Sequence, residues 1–326
     1  MTGTRRLSAE QARRYPDYPF QGRWFDQGGA HQHYLDEGAG QPLLMLHGNP
    51  SWSYMWRHVI LGLRGSYRCV APDLMGMGLS DRPRDLKGTP IAEYRATELV
   101  RLLDHLTAQH GAPARGWTLV THDWGGPIGL RLAHLRPGTV GRLVLLNTIG
   151  FPWPPGYRLP WRLRVVRRGP LGALIHHTNA FAHAAVRQGV CRPMPQAVRA
   201  AYLAPYRRAQ DRGAVLRFVR DIPLSPWDIG WPQARQLGEE LDGFVDLPVF
   251  IGWGMQDPVF DGVTLAEWTR RLPRAALHLY PYAGHYVMED AADQVVRDLR
   301  AFLATSDVPP LHPPDADMAR EEGAPQ

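Results

Sequence analysis

Short apolar runs alternate with longer helical patterns along most of this chain, and that alternation restricts its fold more than any other feature. Pro42 to Leu46 reads as a strand, and His47-Gly48-Asn49-Pro50 breaks it. Trp52 to Leu63 carries apolar residues at roughly helical spacing, and Arg68 to Ala71 reads as a second strand ending at Pro72-Asp73. Ile91 to His110 reads as a helix with Leu99, Leu102, Leu103 and Leu106 on one face, because residues three and four apart share a side of a helix. Trp117 to Thr121, Arg142 to Leu146, Pro248 to Gly252 and Ala276 to Tyr280 continue the strands, with Pro127 to His134 and Thr264 to Leu272 helical among them. Strands alternating with helices predict the α/β class, a mostly parallel sheet with helices on both faces. The alternation stops after Asn147, and residues 151–242 are rich in Pro, Arg and aromatics without a strand pattern. The chain therefore divides into a core segment 17–150, an inserted helical cap 151–242, a second core segment 243–305 and a tail 306–326. The tail holds prolines and acids with almost no apolar residue after Leu311, which reads as disorder.

Charge is the one feature of composition that suggests a function, and it does not survive inspection. The 326 residues carry 37 basic and 31 acidic side chains, a net charge of +6. Lys87 is the only lysine, and the arginines are spread along the chain among acids. A nucleic-acid surface would concentrate them on one face. No stretch approaches the roughly 20 apolar residues that span a bilayer, and Met1 to Tyr15 lacks the apolar core of a secretory signal. Cys69 and Cys191 lie far apart and lack metal spacing, which reads as two inert thiols in a reducing cytoplasmic compartment.

The chemistry gathers after the strands. In Thr121-His122-Asp123-Trp124-Gly125-Gly126 a strand runs through a turn of small residues into a helix, the geometry of a nucleophile elbow. The side chain lifted there is Asp123, and a carboxylate suits attack on an electrophilic carbon with formation of an ester. Taken alone, the same aspartate also fits a helix N-cap. His285 follows the last strand and suits a general base. Asp257 follows the strand Pro248 to Gly252 and suits the acid that orients an imidazole. Nucleophile, acid and base stand in the order of the α/β-hydrolase fold. Asn49 follows the first strand, where its backbone N–H and that of Trp124 can form an oxyanion hole. The Asn49 amide and the Trp124 indole add side-chain donors for a departing anion.

At these residues the sequence resembles a known family. H-G-N-P-S-W-S-Y-x-W-R (47–57), P-D-x-x-G-M-G-x-S-D-R-P (72–83), H-D-W-G-G (122–126) and Gly284-His285 resemble the haloalkane dehalogenases over residues 17–305. That resemblance implies an α/β-hydrolase fold in which Asp123 is alkylated, His285 activates water, Asp257 is the acid, and Asn49 with Trp124 holds the halide. Asn147-Thr148-Ile149 offers no carboxylate where one branch of the family places its acid. The cap stretches Thr178 to Ala182, Arg192 to Pro195, Ala201 to Tyr206 and Arg217 to Leu224 are similar to a sibling group, the β-lactone decarboxylases of bacterial long-chain olefin biosynthesis. This likeness implies a cis-β-lactone bearing two alkyl chains as substrate, a cis-alkene and CO2 as products, and no metal or organic cofactor. It also implies a hydrophobic pocket at the boundary of core and cap, with Phe181, Tyr202 and Tyr206 as candidate lining residues, and a β-lactone synthetase as a pathway partner. Neither reading calls for a nucleic acid.

Other readings remain beside it. Haloalkane dehalogenation is the first alternative. An epoxide hydrolase would use two cap tyrosines, and Tyr202 and Tyr206 stand at i, i+4 spacing on one helix side. A non-catalytic receptor would be expected to lose a triad member, and none is lost. His31-x-His33 and His176-His177 lack a third metal ligand nearby. Gly76-Met77-Gly78 is followed by Ser80-Asp81-Arg82-Pro83 and not by the helix of a dinucleotide site. The basic stretch Trp161 to Arg168 reads as a solvated cap helix or as a contact with a membrane surface or a partner.

Overall fold

In the computed structural model, which describes residues 14–83, 89–167 and 171–306, one sheet carries eight strands. They are β1 (Arg23–Asp26), β2 (His31–Glu37), β3 (Gln41–Leu46), β4 (Tyr67–Pro72), β5 (Trp117–Asp123), β6 (Val140–Thr148), β7 (Val249–Gly254) and β8 (Ala276–Tyr280). Across the sheet they run β1-β2-β4-β3-β5-β6-β7-β8. The β1–β2 and β2–β4 pairs are antiparallel and all others parallel. All six strands expected from apolar runs are present, a residue or two longer in most cases. β1 and β2 were not expected. β2 buries the polar Gln32 and His33, whose partners are supplied by a distant segment: Gln32 donates to the Asp73 carbonyl and His33 Nδ1 lies 2.8 Å from the Asp73 carboxylate. A local reading of apolarity cannot see such partners.

Side chains alternate faces along a strand, and both faces here are covered. Leu44, Leu46, Leu143 and Leu145 enter one core layer, and Leu43, Met45, Val144 and Leu146 the other. The first layer packs against α2 (Ile91–His110), α3 (Gly125–Leu135) and α10 (Gly262–Arg271), and the second against α1 (Arg57–Leu63) and α12 (Ala292–Thr305). The expected helix at Trp52 to Leu63 begins as a 3-10 turn, Ser53–Trp56, before α1. A short α11 (Val287–Asp290) precedes α12.

Between β6 and β7 the described residues form no strand. They form α4 (Trp161–Arg167), α5 (Gly172–Thr178), α6 (Ala180–Gln188), α7 (Gln196–Leu203), α8 (Gly213–Arg220) and α9 (Trp231–Glu240). Asn179, in the left-handed region at φ +57°, ends α5 and turns the chain into α6. Beyond Ser306 the expected tail lies outside the described residues, as does Arg168 of the basic stretch. Arg167 is not the exposed cation expected there. It is buried, ion-paired with Asp228 and bonded to the Ile222 carbonyl. No helix among the described residues is long and apolar enough to cross a membrane.

Buried polar contacts fasten the cap helices to the core. Arg57 of α1 meets Glu289 of α11 as a fork, with one arm at 2.8 Å, and Tyr202 of α7 donates to the same carboxylate at 2.7 Å. Arg57 and Glu289 are almost wholly buried, so removing one partner leaves an uncompensated charge. Glu289→Ala is expected to lower stability by about 3–5 kcal/mol, read as a fall in the urea midpoint at unchanged slope. A change under about 1 kcal/mol would show that water reaches the pair.

Candidate active site

The order of the strands creates the site. From β3 the chain crosses to β4 on one side, and β5 then takes the other flank of β3, so the carboxyl ends of β3 and β5 lie side by side with Leu46 opposite Thr121. Such a switch point leaves a crevice beyond the strand ends. The loop after β3 brings Asn49 there, and the end of β5 brings Asp123.

Asp123 occupies the left-handed region at φ +52°, uncommon for a residue with a side chain. Thr148 holds this turn by donating its hydroxyl to the Asp123 carbonyl. The turn closes only because its neighbours lack side chains. A Cβ on Gly125 would stand 2.2 Å from the Leu46 carbonyl oxygen, and one on Gly126 2.0 Å from Thr148 Oγ1. Across the crevice, a Cβ on Gly48 would stand 2.1 Å from Asp123 Oδ1. Oδ1 accepts the Asn49 backbone N–H at 2.7 Å, and the Trp124 backbone N–H also donates to the carboxylate. The expected oxyanion hole therefore holds the aspartate itself. The other oxygen, Oδ2, lies 3.9 Å from His285 Nε2.

His285 Nδ1 lies 2.8 Å from Asp257 Oδ2. Asp257 Oδ1 accepts the N–H groups of Val259 and Phe260, and Oδ2 also accepts the amide of Asn147 at 3.0 Å. Asn147, at φ +39°, bonds both polar groups of Gly254 as well, so it fixes the strand end from which Asp257 hangs. Asn147 carries no carboxylate of its own and instead orients one, that of Asp257. His122 was also missed. Its Nε2 lies 2.8 Å from the His285 carbonyl, and the two rings stand 4.5 Å apart. Burial first, and the neighbouring His285 next, push the His122 imidazole well below its usual range and keep it neutral. The only sequence signal for either residue is adjacency to a strand end.

Burial raises the Asp123 carboxyl above its ordinary value, against the pull of His285 and the two N–H donors. Burial would lower His285, but the charge of Asp257, its hydrogen bond and the charge of Asp123 outweigh it and raise the imidazole. The Asp123 charge is one of the raising influences, so neutralising that carboxylate would lower the imidazole and leave more of it neutral.

A cavity of about 560 Å3 opens over these groups and is lined by Asp123, Trp124, Asn49 and His285 on the core side. Apolar residues, among them Ile149, Phe151, Trp153 and Leu159, form most of its wall. Phe181 lines it as expected; Tyr202 and Tyr206 do not. The Tyr202 hydroxyl is spent on Glu289, and the Tyr206 hydroxyl accepts from Gly78 N–H and donates to the Ser51 carbonyl. Their i, i+4 spacing is also broken, because α7 ends at Leu203 and Tyr206 lies in a 3-10 turn. The pair of tyrosines that an epoxide hydrolase would need is therefore absent from the cavity wall. The Asn49 side-chain amide donates to the Val215 carbonyl at 3.1 Å, leaving one N–H for an anion. The Trp124 indole packs 5.3 Å from Phe218, and its N–H has no partner among the described residues. His31 and His33 turn to separate carboxylates, Asp81 and Asp73, and no metal-binding group of three or more His, Cys, Asp or Glu is present among the described residues.

Two outcomes test this geometry. Gly48→Ala must displace the Asp123 carboxylate and is expected to lower kcat/KM on the order of 10²-fold with the fold intact. Any turnover step that uses neutral His285 rises with pH through a midpoint above 6.5. Asp257→Asn removes the largest raising influence, so that midpoint moves down while the rate falls by up to about 10⁴-fold. A pH–rate profile reads both, and an unmoved midpoint would remove His285 from the step.

A family model described as the α/β hydrolase fold matches residues 41–292. A cis-3-alkyl-4-alkyloxetan-2-one decarboxylase of Xanthomonas campestris pv. campestris is 44% identical over 294 residues, 89% of this chain and 98% of that protein. Haloalkane dehalogenase 2 of Mycobacterium tuberculosis is 34% identical over 281 residues, 85% of this chain and 93% of that protein. The crystal structure of haloalkane dehalogenase DbeA from Bradyrhizobium elkani superposes with a TM-score of 0.77 at 26% identity, covering 87% of this chain and 98% of that one. The chain belongs to the α/β-hydrolase fold family, in the group that contains the haloalkane dehalogenases and the cis-3-alkyl-4-alkyloxetan-2-one decarboxylases.

Proposed function

We propose that the protein decarboxylates cis-β-lactones bearing two alkyl chains, with Asp123 as nucleophile and a cis-alkene and CO2 as products. The observation that carries the chemistry is the seating of the Asp123 carboxylate on the Asn49 and Trp124 N–H groups of the oxyanion hole. With the hole filled, no backbone donors remain for a lactone carbonyl under attack. The donors that face the cavity, the Trp124 indole and the Asn49 amide, suit an anion leaving from a saturated carbon. Asp123 Oδ2 then attacks the ring carbon that bears the ring oxygen. A carbon–oxygen bond forms, the ring carbon–oxygen bond breaks, and its electron pair leaves a free carboxylate. Backside attack places this carboxylate anti to the new ester. Loss of CO2 delivers the carbon–carbon bonding pair into the alkene π bond, and Asp123 departs as carboxylate. Inversion followed by anti elimination keeps both alkyl chains on one side. The sequence consumes no water and no external proton. The 44% identity to a protein of that activity and the largely apolar cavity of about 560 Å3 support the substrate class. The two free cysteines support a cytoplasmic setting.

One observation favours a second reading. The His285–Asp257 pair is complete and correctly placed to activate water, which the decarboxylation does not use. Haloalkane hydrolysis needs that pair, and the same Asp123 ester would serve it. A paired assay with a cis-3,4-dialkyl β-lactone and a bromoalkane decides between them. Alkene without bromide is expected; bromide without alkene would reverse the order. Asp123→Ala is expected to abolish both products. His285→Ala is expected to accumulate an alkyl ester on Asp123 with the bromoalkane, seen by intact-mass spectrometry, and to retain alkene formation from the lactone.

A further inference from the structure

The cap carries a rim of apolar side chains that the fold leaves exposed. Its exposed large apolar side chains among the described residues are Trp161, Val165, Leu171, Trp227 and Ile229, with Trp227 93% and Trp161 69% exposed. They are gathered in one place. Trp161, Val165 and Leu171 also line the cavity, so they form its mouth. Trp227 and Ile229 sit on a loop whose flanks, Pro223 and Gly230, line the same cavity. Arg167 joins the two parts by bonding α4 to the Ile222 carbonyl at 2.7 Å and pairing with Asp228 beside Trp227. Folding leaves this surface in water, where contiguous apolar area is a liability unless something covers it.

Its charge indicates what covers it. α4 has no acidic residue, and Arg162 and Arg164 are exposed among its apolar side chains. Tryptophan favours the boundary between lipid headgroups and acyl chains, and arginine beside it favours anionic headgroups. We propose that this rim docks on an anionic lipid surface and presents the cavity mouth to it. That the surface also delivers substrate rests on the lactone reading, because a two-chain lactone partitions into lipid; the docking itself does not.

Co-sedimentation of the full chain with vesicles tests it. The protein is expected to pellet with phosphatidylglycerol–phosphatidylcholine vesicles and to stay in solution with phosphatidylcholine alone. Arg164→Ser is expected to lower the partition coefficient about fivefold, and Trp227→Ser several-fold. Neither residue lines the cavity, so turnover of a short, water-soluble lactone is expected to be unchanged in both, which shows that they remain folded. No pelleting with anionic vesicles, or variants that pellet like the parent, overturns the proposal. So does a parent dimer, seen by sedimentation velocity, that Trp227→Ser splits, because the face would then belong to a second copy. A parent that pellets but makes no alkene retains the docking surface and refutes the lactone reading.

Discussion

The hydrogen bond from the Asn49 backbone to Asp123 Oδ1 is the contact around which this molecule is arranged. It requires the ends of β3 and β5 to be neighbours, a φ of +52° at Asp123, and three glycines where a Cβ would strike the turn or the carboxylate itself. It also differentiates two chemically equivalent oxygens. Oδ1 is held by the Asn49 N–H, and Oδ2 is the oxygen near His285. Burial that raises the carboxyl makes it a less stable, more reactive anion, and the N–H donors keep it ionised.

The second half of the site is built on the far side of β5 by a different device. Asp257 is buried and held by two backbone N–H groups, the Asn147 amide and His285. A carboxylate with four donors does not move, so the imidazole it orients does not move either. His122 closes the arrangement from below, neutral because it is buried beside a raised imidazole. Core residues thus set the chemistry. The cap sets what reaches it through an apolar cavity whose mouth carries exposed tryptophan and arginine on α4.

The legibility of these parts follows the range of the forces involved. α2 and β8 were read to their end residues, because burial of one helix face or of an apolar run leaves a periodic imprint on adjacent positions. β1 and β2 left none, since β2 buries Gln32 and His33 against Asp73, some 40 positions away. The meeting of Asp123, His285 and Asp257 was legible because each follows a strand in a fixed order. Tyr202 and Tyr206 were misplaced for the opposite reason. Helical spacing says which residues share a side, but it says nothing of which way that side turns, and here both hydroxyls turn to the core.

The sequence by itself determined the fold class, the helical insertion and the strand ends that carry Asp123, Asp257 and His285, because these depend on local pattern and chain order. Only the tertiary structure decided that the oxyanion hole is filled by Asp123, that Asn147 and His122 support the triad, and that Arg167 is buried with Asp228 while Trp161 and Trp227 stay in water. Those outcomes depend on which distant groups meet when the sheet closes, and the desolvation that decides their energies exists only once they have met.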